Sequence, residues 1–355
     1  MKHFLVATAL WGLSIPAAVA GEDTAAGAGA AATAKKKAVT AEDLVKGYAF
    51  RGSTVAWSHG LSVTSLNQGA EPTYNPNYNW LFRFSPRLYL ADKFSLRLKV
   101  DLAVEMTDSD DTNTYREPQL ADIQFDAVYG AIKEKATGLT FTPSIRFVLP
   151  TSKASQARSL YMGVSPGLTI GRNIKFGKAV ELDLGYAFRY TKSLNKYTTV
   201  QYESPTIANC GAAGGDCAQY LHTGVRNPSH AISNAFTADL SLGSKLKLGL
   251  LVAVYNSFLY DLTPATATLS GGATVAVGTN GNDVSHRASM LYGIELSYDF
   301  HPSFSLALGI STFNPQLATD GTYYTPFINR FSEISLSTTV ALDHLVALFD
   351  GRRTR

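Results

Sequence analysis

The sequence is poor in charge, in cysteine and in long apolar runs, and each shortage excludes a class of protein. Charged residues make up 17% of the 355 positions, against about 25% in an ordinary soluble protein. Outside the first 20 residues no apolar run approaches the roughly 20 residues that a membrane-spanning helix needs. The balance of 31 basic and 28 acidic residues gives no argument for nucleic-acid binding. The composition therefore disfavours both an ordinary soluble enzyme and a helical membrane protein.

The N-terminus has the features of a secretory signal peptide, residues 1–20. Lys2 gives a basic start, residues 4–15 are apolar, and Ala18 to Ala20 form an Ala-x-Ala cleavage site. The Ala-, Gly- and Lys-rich residues 21–47 then predict a flexible periplasmic segment, in which Thr40 can cap a short helix.

The two cysteines of the chain, Cys210 and Cys217, enclose six residues rich in Gly and Ala. In an exported protein this spacing predicts a disulfide within a loop. The alternative, a two-thiolate metal site, lacks nearby ligands beyond His222. We therefore predict a disulfide and no metal or other cofactor.

From Tyr48 onward, the dominant pattern is an apolar residue at every second position, which indicates β-strands. The clearest case, residues 94–106, alternates over 13 positions. Soluble strands average about 5–6 residues, whereas a tilted membrane strand needs about 9–11. Twelve segments show the pattern: 53–66, 80–90, 94–106, 122–134, 139–147, 162–170, 180–189, 231–243, 246–260, 290–298, 304–313 and 328–340.

The connections between these segments alternate in length. Five are short (91–93, 135–138, 177–178, 244–245 and 301–303), and six are long and polar (67–79, 108–121, 149–159, 192–230, 261–286 and 314–327). This alternation is typical of a transmembrane antiparallel β-barrel with short periplasmic turns and long extracellular loops. Residues 265–269 and 274–278 are too short to cross a bilayer, so we predict an extracellular hairpin and 12 strands rather than 14.

The arrangement resembles Gram-negative outer-membrane β-barrel proteins over residues 48–342, with residues 343–355 as a C-terminal tail. Residues 149–152, Leu-Pro-Thr-Ser, close the segment that contains Arg146. This ending is similar to the strand ends of presumed uptake channels, including the outer-membrane family linked to meta-pathway phenol degradation.

The resemblance implies an outer-membrane location and passive passage of small solutes, including hydrophobic or aromatic ones. It also implies contact with outer-membrane lipid and lipopolysaccharide, and assembly by the barrel assembly machinery. One departure is the end of the chain, where such barrels usually place an aromatic residue on the last strand. Here Phe349 could take that role only if the strand continued into the tail.

Alternation also predicts which charged side chains line the lumen. We expect a basic wall on strands two, three and five to face acids on strands seven to twelve. The predicted register places Arg83 opposite Asp101, and Arg87 opposite Arg97. The alternative is that the charges pair and fill the barrel. The predicted lumen-lining residues are Arg83, Arg87, Arg97, Lys99, Asp101, Glu105, Asp126, Arg146, Asp183, Arg189, Asp239, Glu295 and Asp299.

The sequence is also compatible with two other functions. A barrel hydrolase acting on lipid or lipopolysaccharide would need a nucleophile beside a histidine such as His230, but the sequence shows no diagnostic spacing. A plugged structural or surface-binding barrel would use the loops at 192–230 and 261–286. The acidic turn at Asp108, Asp110 and Asp111 is interpreted as a solvated loop in preference to a cation site. The leading prediction is a channel that is not an enzyme.

Overall fold

The computed structural model describes residues 48–66, 77–107, 116–177, 179–202, 221–261, 266–268, 274–276, 285–318 and 321–349. The predicted signal peptide, the segment 21–47, both cysteines and the acidic turn at 108–111 lie outside these ranges.

Twelve barrel strands occupy the twelve predicted segments. Two strands, β2 and β4, are interrupted or continued by short pieces, as at Pro86 within β2. The strands are β1 Thr54–Ser62, β2 Tyr78–Ser85 with Arg87–Ala91, β3 Phe94–Glu105, β4 Pro118–Leu120 with Ile123–Tyr129 and Ile132–Lys133, β5 Thr140–Leu149, β6 Leu160–Phe176, β7 Val180–Asn195, β8 Pro228–Leu242, β9 Leu246–Leu259, β10 His286–His301, β11 Phe304–Pro315 and β12 Ser332–Ala341.

Each strand pairs antiparallel with the next one along the chain, and β1 also pairs with β12. That last pairing runs from Thr54 opposite Ala341 to Ser62 opposite Glu333, so the sheet is closed and has no free edge. The predicted fold class, an all-β transmembrane antiparallel barrel of 12 strands, is therefore confirmed.

The long and short connections fall at opposite ends of the barrel, as predicted, and β1 starts and β12 ends at the short-turn end. The hairpin Thr266–Thr268 with Thr274–Ala276 is a separate two-stranded sheet, and it adds no strand to the barrel. A second separate hairpin, Thr199–Tyr202 with Leu221–Arg226, extends the β7–β8 connection. These pairings favour 12 strands over the alternative of 14.

Helices are few and short. A 3₁₀ turn covers Val63–Leu66, helix α1 covers Lys153–Ala157, and helix α2 covers Leu342–Phe349 directly after β12. Because α2 starts there, the last strand does not run on to Phe349 as the aromatic-end pattern would require. Within the described ranges, no helix is both long and apolar enough to cross a membrane.

Apolar side chains cover the outside of the barrel, and polar side chains fill the inside. Phe236 on the outward face of β8 is 58% exposed, whereas Asp101 on the inward face of β3 is 2% exposed. This distribution is the reverse of a soluble barrel and is that of an outer-membrane barrel, where lipid replaces water around the strands.

Candidate functional site: the inner face of the barrel

The inner face of strands β2 to β7, called the β2–β7 wall, carries a run of charged side chains that begins at Asp101. The Nε and Nη2 atoms of Arg83 donate to the two carboxylate oxygens of Asp101 at 2.8 and 2.9 Å. Lys99 Nζ lies 3.4 Å from the same carboxylate. Arg83 and Asp101 are direct cross-strand partners, so the predicted register of the β2–β3 hairpin is confirmed.

A second carboxylate, Asp126 on β4, lies between two arginines. Arg146 on β5 donates to it at 2.6 and 2.9 Å. Arg97 on β3 is its cross-strand partner on the other side. A fork-shaped guanidinium matches a carboxylate with two parallel hydrogen bonds, so this geometry fixes both side chains.

Arg87 and Arg97 are cross-strand partners, as the sequence predicts. The structure also shows how Arg87 is held beside a like charge. Its Nε and Nη2 donate to Ser95 Oγ at 3.2 and 3.1 Å, and its guanidinium carbon lies 4.5 Å from the ring centre of Tyr89. Arg51, before β1, lies 3.5 Å from the same ring. The aromatic face attracts both cations.

At the far end of the β2–β7 wall, Arg189 on β7 reaches back toward β6. Its Nη1 donates to the backbone oxygen of Ser165 at 3.1 Å. Its guanidinium lies over Gly167, where an added Cβ would be 3.3 Å from the guanidinium carbon. Ser165 Oγ also donates to Thr191 Oγ1 at 2.9 Å. Gly167 therefore makes room for Arg189.

The inner face of strands β8 to β11, called the β8–β11 wall, is different. Leu251, Ala253 and Leu291 are buried and pack with Ala235, Tyr255 and Phe313. Between them stand small inward residues such as Gly249, Gly293 and Gly309. This half of the interior is apolar in its middle, where a facing acidic wall is expected from the sequence.

The acids predicted for this half lie closer to the short turns. Asp239 and Glu295 flank Gly249 on neighbouring strands. Asp299 Oδ2 lies 3.1 Å from Lys247 Nζ. Asp183, on β7 of the other wall, accepts from Asn173 at 2.5 Å. The facing of acids on strands seven to twelve toward a basic wall stays a prediction; in the structure these acids stand in the strand halves nearer the short turns.

Glu105, the remaining predicted residue, lies at the extracellular end of β3, where its Oε1 accepts from Thr107 Oγ1 at 3.0 Å. The predicted residues thus fall into two charged groups and one isolated acid. Sequence reasoning missed Arg51, Tyr89, Ser95 and Tyr255. Strand parity could have found Tyr89, Ser95 and Tyr255, because they share the inward parity of the charges.

The Leu-Pro-Thr-Ser segment makes hydrogen bonds that link neighbouring elements at the extracellular end of β5. Thr151 Oγ1 donates to Ala121 O at 2.7 Å and accepts from Ile123 N at 3.0 Å. Ser152 N donates to Asp122 Oδ1 at 2.9 Å, and Ser152 Oγ caps α1 by accepting from Ser155 N. The segment therefore joins β4, β5 and α1.

Arg158 follows α1 in the same extracellular connection. Burial lowers the pKa of Arg158 from its usual range, and the charge of Arg287 on β10 adds to this effect, while Asp122 opposes it. Asn227, directly before β8, donates through Nδ2 to the backbone oxygen of Arg158 at 3.0 Å, so the β5–β6 connection contacts the start of the other wall.

Among the described residues, His59 and His230, which a hydrolase could use, lie on the outer surface. Ser229 Oγ and His230 Nδ1 are 2.9 Å apart, but they are adjacent residues, and the His230 ring stacks on Phe258 at 4.7 Å. His59 Nδ1 is 2.7 Å from Tyr78 Oη. In the described part of the chain, no group of three or more His, Cys, Asp or Glu residues could hold a metal ion.

Comparison with solved structures finds barrels of the outer membrane. An outer-membrane channel from Pseudomonas putida F1 is 9% identical with a TM-score of 0.46, over 83% of this chain and 98% of that one. The NanC porin is 11% identical with a TM-score of 0.41, over 82% and 98%. The KdgM porin is 8% identical with a TM-score of 0.39, over 81% and 98%. No family model and no curated protein matches the sequence.

Proposed function

We propose that the protein is a passive outer-membrane channel for small solutes. The observation that carries this proposal is a closed barrel whose inner face carries charged side chains while its outer face is apolar. On the β2–β7 wall the cations stand beside the carboxylates Asp101 and Asp126, and on the β8–β11 wall Asp239, Glu295 and Asp299 stand in the strand halves nearer the short turns. A charged inner face is expected in a barrel that admits water and solutes, because removing a charge from water costs several kcal/mol unless it is paired.

The finer part of the proposal concerns the solutes. The β8–β11 wall presents Leu251, Leu291 and Phe313 on the inside of the barrel. Apolar side chains beside polar ones are typical of sites for organic molecules. Together with the resemblance to presumed uptake channels, this supports hydrophobic or aromatic compounds among the solutes.

The lumen-lining role of the charged residues is tested by ion selectivity in planar bilayers. Arg189→Gln removes a cation from the β2–β7 wall, and Asp239→Asn is the matched change on the β8–β11 wall. We expect the reversal potential in a KCl gradient to move toward cation selectivity for Arg189→Gln and toward anion selectivity for Asp239→Asn. Unchanged reversal potentials in both variants would contradict a conducting, charge-lined lumen.

Conductance itself is the broader test. Refolded protein should give discrete current steps, and a variant without residues 21–47 should do so as well. Silence from both proteins would overturn the channel and favour a plugged barrel. Liposome swelling with phenyl glucoside and with methyl glucoside, neither of which crosses a bare bilayer readily, then tests the preference for aromatic solutes, which predicts faster swelling with the former.

A further inference from the structure

The outer surface of the barrel carries a row of basic and aromatic side chains that the channel does not use. Lys192 on β7 is the cross-strand partner of His230 on β8. His230 in turn is opposite Phe258 on β9, and Phe258 is opposite His286 on β10. We call these four residues the outer row. They stand on adjacent strands about 4.8 Å apart.

Strand parity places the outer row on the lipid side. On β7, Lys192 has the same parity as Phe188, Tyr190 and Leu194, which are all exposed apolar residues. On β8, His230 has the same parity as the exposed Phe236. His286 is itself exposed. The row is therefore outside the lumen.

The height of the row matches the boundary between lipid tails and headgroups. Lys192 is 12 residues along β7 from Val180, where the strand begins. At about 3.3 Å per residue and a tilt of about 40°, this is about 30 Å along the membrane normal. The apolar band of such barrels is about 25 Å tall. The row therefore begins at the outer-leaflet interface and continues obliquely toward the outside.

Aromatic rings hold the outer row in place. The His230 and Phe258 rings are stacked with centres 4.7 Å apart, and the Phe258 and His286 rings lie 4.9 Å apart. Lys192 Nζ lies 5.6 Å from the ring centre of Tyr260. Side chains held in this way lose less conformational entropy when they bind a ligand.

Each imidazole of the row uses one ring nitrogen for a neighbouring polar side chain. His230 uses Nδ1 for Ser229 Oγ at 2.9 Å, which leaves Nε2. His286 uses Nε2 for Asn256 Oδ1 at 3.0 Å, which leaves Nδ1.

A second outward histidine provides the contrast. Trp80 Nε1 donates to Tyr78 Oη at 2.9 Å, and that hydroxyl lies 2.7 Å from His59 Nδ1. The polar atoms of this cluster satisfy one another, as in the aromatic belts that anchor barrels at interfaces. The outer row instead combines a lysine with two imidazoles.

We propose that the outer row binds a phosphate group of the outer-leaflet glycolipid. The lysine ammonium forms charge-assisted hydrogen bonds with phosphate oxygens, imidazole N–H groups donate to the same oxygens, and the adjacent aromatic rings lie against the acyl chains. The proposal rests on the placement of the barrel in the membrane and not on conduction through it.

The test measures lipid binding to the refolded full-length barrel in detergent by native mass spectrometry, with bisphosphorylated lipid A as the probe. We expect His230→Gln with His286→Gln to weaken binding at least tenfold. The matched control His59→Gln should stay within twofold of the unaltered protein. Dephosphorylated lipid A should bind the unaltered protein as weakly as lipid A binds the double variant.

Three outcomes would overturn the proposal. The first is equal lipid A binding by the double variant and the unaltered protein, with both shown to be folded by heat-modifiable gel mobility. The second is equal binding of lipid A with and without its phosphates. The third is displacement of lipid A by millimolar inorganic phosphate alone, which would indicate a site for free phosphate. Channel conductance should be the same in the double variant, so loss of lipid binding and failure of the channel are separately visible.

Discussion

The two walls of the barrel occupy the interior with different kinds of side chain. The β2–β7 wall fills the interior with long charged side chains that are fixed by carboxylates, as at Asp101 and Asp126. The β8–β11 wall uses glycine, alanine and a few apolar side chains such as Leu291. The stability of the β2–β7 wall therefore depends on particular ion pairs, and that of the β8–β11 wall depends on how well small and apolar side chains pack.

The largest difference between the walls should appear when a carboxylate is removed. Asp101→Asn leaves Arg83 and Lys99 buried beside each other without their anion, so we expect a loss of about 3–5 kcal/mol in the free energy of unfolding. Asp299→Asn is the control, because its partner Lys247 is half exposed and the pair should be worth about 1 kcal/mol or less. Urea unfolding of the barrel in lipid vesicles measures both, and equal losses would contradict the distinction.

Adding one methyl group to each wall should give a smaller difference in the free energy of unfolding. At Gly167 an added Cβ would lie 3.2 Å from Phe188 O and 3.3 Å from the guanidinium carbon of Arg189, whereas at Gly293 the nearest atom is 3.7 Å away. We expect Gly167→Ala to cost about 1–3 kcal/mol, and Gly293→Ala to change stability by about 0.5 kcal/mol or less. The same unfolding measurement applies, and an equal or reversed order would show that the walls are packed alike.

The smallest effect concerns the β4–β5 turn, at the short-turn end of the β2–β7 wall. Glu134 accepts hydrogen bonds from Thr137 Oγ1 and from the backbone N–H groups of Thr137 and Ala136. These hydrogen bonds lower the pKa of Glu134, and the Thr137 hydroxyl is the largest cause. Because the folded pKa lies below the unfolded one, the stabilisation is present above the unfolded pKa and is lost as the pH falls through the folded pKa.

Thr137→Val keeps the side-chain shape and removes the hydroxyl, so we expect the pKa of Glu134 to rise toward its ordinary value. NMR titration of the Glu134 carboxyl carbon measures this shift. Thr140→Val is the control, since the Thr140 hydroxyl donates to Gly171 O and not to Glu134. An unchanged pKa in Thr137→Val would show that the backbone donors alone lower it.

Much of the fold could be predicted because alternation and turn length are local properties of the sequence. Pairing Leu90 with Phe94 across the short β2–β3 turn predicts Arg83 opposite Asp101 and Arg87 opposite Arg97. The structure pairs Ala91 with Phe94 and reaches the predicted register after an irregularity between Tyr89 and Ala91. Every second side chain of a strand faces lipid. A shift of the register by one residue would therefore place charged side chains in lipid, which disfavours it.

The candidate site was less predictable because contacts across a barrel depend on how far the strands are staggered. Sequence alone does not place the apolar patch around Leu251 in the middle of one wall, or the acids below it. The end of β12 was also uncertain from sequence, since Leu342 to Phe349 is apolar enough for either a strand or a helix. The structure assigns helix α2, which is anchored by Asp343.

The contacts of Asp343 extend the closure of the barrel beyond β1 and β12. Its Oδ2 accepts from Gly52 N at 2.7 Å, and Leu342 N donates to Ser53 O at 2.9 Å. The two hydrogen-bonded residues Gly52 and Asp343 are 291 positions apart. Loop closure of this length is entropically costly, and it is possible only after the chain is almost complete. The barrel can therefore close only once β12 and the start of α2 are in place, and until then β1 has an edge without its second partner strand.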